Sequence, residues 1–214
     1  PLFPDINTAT RDAIIAKIRG KPGWLDPDDV TALLRAYGLP VLRQRIVHGP
    51  EAAAATASEF GARTALKGIA PGLIHKTDAG AVMLDLDPAA VLTAAQRMKA
   101  HITSLTGFVV QEMAAAGTEM IVGVSHDPQF GPVVACGAGG VMVELMKDVS
   151  VRLTPLACED AEEMLRELKT FPLLEGYRGS RKRDISALEE IILRVGVLAE
   201  DVPGLNDVGA VRHD

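Results

Sequence analysis

The pattern of hydrophobic and polar positions predicts short helices and short strands that alternate along most of the chain. Residues 27–37 show apolar positions at helical spacing behind Asp26, and Pro27 is typical of a first helical position. Further periodic or alanine-rich segments predict helices at residues 11–19, 50–60, 87–103, 159–169 and 184–198. Apolar runs bounded by turn residues predict strands at residues 40–47, 64–67, 81–86, 108–113, 119–124, 132–136 and 141–145.

This alternation indicates a mixed α/β or α+β protein. We expect residues 1–24 to form a connector that carries a short helix. Residues 25–106 are predicted to form a first lobe and residues 107–214 a second lobe, which begins at Gly107. The apolar run at 108–113 turns polar at its end, which suits a buried strand that leads into a hinge.

Composition and charge narrow the class of protein. The chain has 214 residues, of which 48% are hydrophobic, so it can build a sizeable core. The formal net charge of −6 argues against binding to duplex nucleic acid or to an anionic membrane. The basic cluster at 178–183 is broken by glycine and serine and is predicted to be a solvated loop.

The cysteines and the apolar runs bear on where the protein works. Cys136 and Cys158 lie far apart and have neither zinc nor disulfide spacing, which fits a reducing compartment. No signal peptide is evident, and no apolar run approaches the roughly 20 residues of a membrane span. We therefore expect a cytoplasmic protein. Because the sequence opens on Pro1, we also expect a processed chain or a segment of a longer one.

The first candidate for chemistry is the segment that joins two predicted strands. Lys67 ends one strand, and the following loop carries His75, Lys76 and Asp78. A lysine on a rigid element can hold phosphate oxygens, and a neutral histidine can act as a nucleophile toward a phosphoryl group. Without supporting motifs, a histidine in a loop is more often solvent-exposed and without a catalytic role. Lys67 can likewise simply extend from a strand edge into water.

The second candidate is the glycine-rich stretch at 137–140 and the charged residues after it. The stretch lacks the Gly-Lys-Ser/Thr ending of a P-loop, so by itself it is more often a tight turn. Glu144 and Asp148 are four residues apart and would share a face in a helix or in a strand, which permits a shared cation. Together with Lys67, these residues predict a nucleotide site that is split across two lobes.

Several ordered motifs agree in spacing with one known family. The sequence between about residues 24 and 203 resembles the ATP-grasp portion of NDP-forming acyl-CoA synthetases. The motifs that carry the resemblance are Ala65-Leu66-Lys67, Ile74-His75-Lys76-Thr77-Asp78-Ala79-Gly80, Asp127-Pro128-Gln129-Phe130-Gly131-Pro132, and the segment from Gly139 to Val149.

The resemblance implies an ATP-grasp fold whose two lobes enclose a nucleotide. It implies interconversion of an acyl-CoA, ADP and phosphate with a free acid, CoA and ATP, with His75 as the phosphate-carrying residue. By the same resemblance, Glu119 and Glu144 lie at acidic positions near the ribose or the metal. The spacing of Glu144 and Asp148 makes this pair the candidate Mg²⁺ ligands. The residues expected to bind ATP or ADP are Lys67, Lys76, Gln111, Glu112, Met113, Glu119, Gly139, Gly140, Lys147 and Arg152. Among them, residues 111–113 match the family's hinge, whose backbone contacts adenine.

One departure from the family pattern concerns the end of the chain. The family's closing Glu-Leu-Asp-x-Asn-Pro motif is absent or rearranged at residues 201–208, which suggests a truncated tail, and no CoA-binding portion is recognisable. Activity is therefore expected only with a CoA-binding partner portion, in cis or in trans. Two alternatives remain open: a catalytically silent nucleotide-sensing module attached to an enzyme such as an acetyltransferase, and a carboxylate–amine ligase that would not need His75.

Overall fold

The computed structural model describes residues 2–19, 23, 25–71, 79–115, 117–139, 148–179, 181–202, 205 and 211–213, of which the last three are described by their backbone alone. The predicted strand at 141–145 lies outside these residues. The chain divides into two units, one formed by residues 41–114 and the other by residues 1–40 together with 115–214.

Local signals set the ends of the helices. The side chain of Asp26 accepts a hydrogen bond of 3.0 Å from the N–H of Asp28 and caps the helix that follows. The helix at 50–60 begins at a proline and ends before Gly61, whose φ of 65° is left-handed. The helices are α1 (Thr8–Ile18), α2 (Pro27–Ala36), α3 (Pro50–Phe60), α4 (Val91–His101), α5 (Cys158–Arg166), α6 (Phe171–Leu174) and α7 (Ile185–Asp201).

The unit at 41–114 is an antiparallel sheet with helices α3 and α4 on one face. Its strands are β1 (Gln44–Val47), β2 (Thr64–Ile69), β3 (Val82–Leu86) and β4 (Gly107–Glu112), in the order β1-β4-β2-β3. Leu66, Phe108 and Val110 of this sheet are buried in one core with Ala53, Ala57, Val91 and Met98 of the helices.

Strand β4 corrects the predicted lobe boundary at residue 107. It lies between β1 and β2 and forms hydrogen-bonded ladders with both of them. Residues 107–112 therefore belong to the first sheet, and the chain leaves this unit only at about residue 114. The apolar run at 108–113, which was expected to start the second lobe, forms an inner strand of the first unit.

The second unit also contains an antiparallel sheet. Its strands are β5 (Thr118–Asp127), β6 (Gly131–Ala138), β7 (Val149–Leu153) and β8 (Val211–His213), in the order β7-β6-β5-β8. Helix α7 packs on β5 and β6, where Val122, Val134 and Cys136 are buried with Ile192 and Leu198. Strand β7 was not predicted, although its side chains alternate between buried and exposed as in a half-covered sheet.

The N-terminal residues correct a second boundary, because α1 and α2 belong to the core of this second unit. Ile14, Leu33 and Tyr37 are buried in it. The Tyr37 hydroxyl donates a hydrogen bond of 2.8 Å to Asp201 of α7. Residues 1–24 are therefore not a separate connector, and α2 is not part of the first lobe.

None of the helices in the described parts of the chain combines the length and the apolar character that a membrane crossing needs.

Candidate functional site

The Lys67 side chain lies in a row of polar groups that crosses three strands of the first sheet. Its ammonium group donates a hydrogen bond of 2.7 Å to Oε1 of Gln111 on β4. The Nε2 group of Gln111 in turn donates a hydrogen bond of 3.1 Å to Oε1 of Gln44 on β1. All three side chains are partly buried. A strand lysine with a fixed ammonium suits phosphate binding.

The strand pattern places this row on the face of the sheet opposite to α3 and α4. Leu66 and Val110, the neighbours of Lys67 and Gln111, and Val47, three positions after Gln44, are buried in the core under those helices. Successive side chains of a strand point to opposite faces, so Lys67 and Gln111 lie on the other side. Gln44 was not singled out by the sequence, because a lone glutamine in a short strand gives no sign of its partner.

The predicted adenine hinge, residues 111–113, is tied to its own unit by backbone hydrogen bonds. The N–H of Glu112 donates to the Arg43 carbonyl over 2.9 Å, and the N–H of Met113 donates to the Arg63 carbonyl over 2.9 Å. The Glu112 carboxylate also lies 3.3 Å from the Arg43 guanidinium. An adenine contact through these N–H groups would have to replace existing bonds, and the predicted contact stays a prediction.

The structure brings Glu119 and Gly139, two predicted nucleotide-binding residues, into contact. The Gly139 N–H donates a hydrogen bond of 2.6 Å to the Glu119 carbonyl. A Cβ atom at position 139 would lie only 2.8 Å from the carbonyl carbon of Glu119, so a larger residue would force the two backbones apart. The glycine is therefore needed for close backbone approach, while the Glu119 residue remains exposed.

The Asp148 carboxylate is satisfied by hydrogen bonds from the protein itself, without a cation. The residue is 5% exposed, and it accepts hydrogen bonds from the N–H groups of Lys169 and Thr170, both at 2.8 Å, and from the Thr170 hydroxyl at 2.6 Å. Burial alone raises the pKa of this carboxyl, but the hydrogen bonds outweigh it, so the pKa is lowered. These contacts give Asp148 a structural role, and its predicted metal role stays a prediction.

Arg152 is likewise engaged within its own unit. Its guanidinium contacts Glu167 over 2.5 Å and 3.1 Å, and the Ser150 hydroxyl donates to Glu167 over 2.6 Å. The hydrogen bond with Glu167 raises the pKa of Arg152, and the same hydrogen bond lowers the pKa of Glu167. These contacts link β7 to the end of α5 and lend no support to the predicted nucleotide role.

The remaining predicted site residues, His75, Lys76, Gly140, Glu144 and Lys147, lie outside the described residues. Within the described ranges, no group of three or more histidine, cysteine, aspartate and glutamate side chains gathers in a way that suits a metal ion. With the Asp148 carboxylate already satisfied, the described part of the chain does not fit a resident magnesium ion.

A cavity of about 330 Å³ lies in the second unit near the start of α7. Charges of both signs line it, among them Arg166, Lys182, Arg183, Glu175 and Glu189. None of the predicted site residues lines this cavity. Within the basic cluster at 178–183, Arg178, Arg181 and Lys182 are exposed, as the predicted solvated loop requires. Arg183 is half-buried and donates a hydrogen bond of 3.2 Å to the Thr118 hydroxyl.

Comparison with known proteins identifies the family of this chain. The model of the ATP-grasp domain matches residues 16–209. The beta subunit of ADP-forming acetate–CoA ligase I from Pyrococcus furiosus is 37% identical over 203 residues, which covers 91% of this chain and 87% of that subunit. ADP-forming acetate–CoA ligase I from Archaeoglobus fulgidus is 35% identical, and this chain spans 29% of its length.

A solved structure agrees with the sequence comparison. The dinucleotide-forming acetyl-coenzyme A synthetase 1 of Ca. Korarchaeum cryptofilum has a TM-score of 0.80 at 35% identity, covering 95% of this chain and 92% of that chain. That protein was solved with coenzyme A and Mg-AMPPCP, with its phosphohistidine segment pointing towards the nucleotide binding site. The chain has the ATP-grasp fold and belongs to the ATP-grasp family that contains the beta subunits of ADP-forming acetate–CoA ligases.

Proposed function

We propose that this chain is the ATP-grasp portion of an ADP-forming acyl-CoA synthetase. In this role it binds ATP or ADP and exchanges phosphate through His75, while acyl-CoA, ADP and phosphate interconvert with the acid, CoA and ATP. The observation that carries the proposal is the similarity to a separate ligase beta subunit, at 37% identity over 91% of the chain.

The residues of the chain have distinct tasks in this proposal. The Lys67 ammonium, held on β2, neutralises charge on the phosphates of the nucleotide. The neutral imidazole of His75 attacks the γ-phosphorus of ATP. An N–P bond forms, the bond from that phosphorus to the bridging oxygen breaks, and ADP leaves with the electron pair. Imidazole has an unperturbed pKa of about 6.5, so most of it is neutral and nucleophilic at pH ~7.

Magnesium enters this proposal with the nucleotide. In the Korarchaeum structure the ATP analogue is a magnesium complex. We treat Mg-ATP as the substrate, and Glu144 stays the predicted protein ligand to the ion. No step is assigned to Asp148, because its carboxylate is occupied by Lys169 and Thr170.

A partner portion follows from the lengths of the relatives. The chain spans 87% of a separate beta subunit but 29% of a related ligase that is a single chain. We infer that a CoA-binding portion acts with this chain, in cis or in trans, and receives the phosphoryl group from His75. We also propose that the reaction takes place in the cytoplasm, because the cysteine spacing fits a reducing compartment.

The nucleotide-sensing alternative is less well supported, because the relatives at 35–37% identity are named as ligases. A carboxylate–amine ligase differs in a way that can be tested, since it would have no use for a phosphorylated histidine.

Labelled ATP tests the proposal directly. Incubation of the chain with γ-labelled Mg-ATP should give an acid-labile label on the protein, as expected for a phosphohistidine. The label should vanish in His75→Asn and persist in His101→Asn, since His101 is an exposed residue at the end of α4. Binding of ATP without any label would favour a sensor or a carboxylate–amine ligase, and label that survives in His75→Asn would assign the chemistry to another residue.

A further inference from the structure

The polar row on the first sheet contains one side chain that has no role in the function proposed so far. Gln44 lies on β1 opposite Gln111, and Gln111 lies beside Lys67 across β2 and β4. The contacts run in one direction, from the Lys67 ammonium to Gln111 and from Gln111 to Gln44. An ordered chain of donors and acceptors of this kind fixes the orientation of each member.

The chemistry of the groups determines that direction. An ammonium can only donate, so the Gln111 amide must turn its oxygen toward Lys67 and its NH₂ group away from it. The NH₂ group then needs an acceptor, and Oε1 of Gln44 supplies one at 3.1 Å. Without Gln44, the Gln111 amide would lose the contact that keeps its oxygen on Lys67.

The surroundings strengthen the effect of this orientation. Ala65 and Val109 share the face of the sheet with Lys67 and Gln111 and are 3% and 8% exposed. An ammonium beside such apolar groups depends more on a fixed acceptor than one in water does. Gln111 is also neutral, so it holds Lys67 without cancelling the charge that a phosphate would meet.

We propose that Gln44 is a positioning residue, which holds the Gln111 amide so that the Lys67 ammonium is presented to the phosphates of the nucleotide. This inference rests on the proposed function, because it gives a task to the phosphate contact of Lys67. It extends that function by naming Gln44 and Gln111 as residues that set the affinity for the phosphate groups. Gln44 lies on β1, a strand that carries none of the predicted nucleotide-binding residues.

A set of single variants tests the proposal through the Kd of Mg-ATP, measured by calorimetry. Gln44→Leu should weaken binding by up to about tenfold, as expected for a hydrogen bond between neutral groups. Lys67→Ala should weaken it about 100-fold, as expected for contacts of a charged group. Gln111→Glu should also weaken binding, because its carboxylate would pair with Lys67 and compete with phosphate. Gln96→Leu is the control, since Gln96 is exposed on α4, and should bind as the wild type does.

A double-mutant cycle separates positioning from a general structural effect. If Gln44 acts through Lys67, adding Gln44→Leu to Lys67→Ala should cause less than about a twofold further change in the Kd. An equal loss in both backgrounds would mean that Gln44 only supports the sheet, and would overturn the proposal. Unchanged binding by Gln44→Leu alone, while Lys67→Ala binds poorly, would overturn it as well.

A measurement without nucleotide distinguishes failure of this inference from failure of the proposed function. The side-chain amide signals of Gln111 in a ¹⁵N–¹H spectrum should shift in Gln44→Leu and in Lys67→Ala, and should stay in place in Gln96→Leu. Such shifts in a protein that does not bind Mg-ATP would confirm the contacts and overturn the proposed function, and with it the positioning role. Gln111 signals that do not shift in Gln44→Leu would overturn the positioning role alone.

Discussion

At the scale of single residues, Asp148 shows how a carboxylate acquires a role from its neighbours. It was a candidate metal ligand by its spacing from Glu144, yet its oxygens accept hydrogen bonds from Lys169 and Thr170 in a buried position. A carboxylate that has been desolvated and then satisfied by donors of the protein is stabilised as the anion. It therefore holds the start of β7 against the turn after α5.

Asp148→Ala should lower the free energy of unfolding by about 3 kcal/mol, because it leaves buried donors without an acceptor. Urea unfolding measures this change. Glu200→Ala is the control, since Glu200 is exposed near the end of α7, and it should change stability little. A near-neutral effect of Asp148→Ala would mean that the buried hydrogen bonds do not stabilise the fold.

The same carboxyl gives a pH dependence with a defined sign. Its pKa in the folded protein is lowered from the usual value of 3.8, so its stabilisation is fully present above that value. The stabilisation is lost as the pH falls through the lowered pKa. The stability gap between the wild type and Asp148→Asn should therefore stay constant down to about pH 5 and narrow as the pH falls below 3.8. A gap that stays constant over the acidic range as well would contradict the prediction.

At the scale of elements, the packing of β6 against α7 decides the reactivity of the cysteines. Cys136 lies on β6 and is buried, whereas Cys158 begins α5 and is exposed. Burial raises the pKa of the Cys136 thiol to about 12, with a smaller opposing effect from Arg152. Because the thiolate is the reactive form, Cys136 should be inert in the folded protein.

Thiol labelling of the native protein should therefore modify Cys158 alone. The second thiol should react only after denaturant unfolds the sheet. Cys158→Ser should show no rapid labelling in the native state, which serves as the control. Rapid labelling of Cys136 in that variant would show that the contact between β6 and α7 opens readily.

At the scale of the whole molecule, the ends of the sequence meet in one of the two units. Arg11 of α1 lies 3.0 Å from Asp201 of α7, and Arg194 of α7 lies 2.9 Å from Asp5. Arg194 also donates a hydrogen bond of 2.9 Å to the Tyr37 carbonyl. Residues 1–40 therefore complete the core of the unit formed by residues 115–214, although a separate unit of 74 residues, 41–114, comes between them.

Ile14→Ala tests this assignment, because Ile14 is 6% exposed in that core. The loss of a buried isoleucine should cost about 3 kcal/mol of unfolding free energy, as measured by urea denaturation. Leu2→Ala is the matched control, since Leu2 is 97% exposed, and should have little effect. Equal small effects of both changes would return residues 1–24 to the status of a connector.

The sequence by itself determined the features that depend on nearby residues. Asp26 before Pro27, and Pro50 with Gly61, predicted the limits of two helices that the structure confirms. The ordered motifs around Lys67 and Gly139 predicted the ATP-grasp family. Capping groups, proline and glycine act within a few residues of their position, so they can be interpreted without knowledge of the fold.

Only the tertiary structure decided which distant segments pair. Gln44 and Gln111 are 67 positions apart, and their contact depends on β4 entering the sheet between β1 and β2. The capture of Asp148 by Thr170, and the joining of α1 to α7, arise in the same way. Strand register and core packing depend on how much apolar surface the whole unit buries. A short stretch of sequence is compatible with several pairing partners, and it does not indicate which of them buries the most.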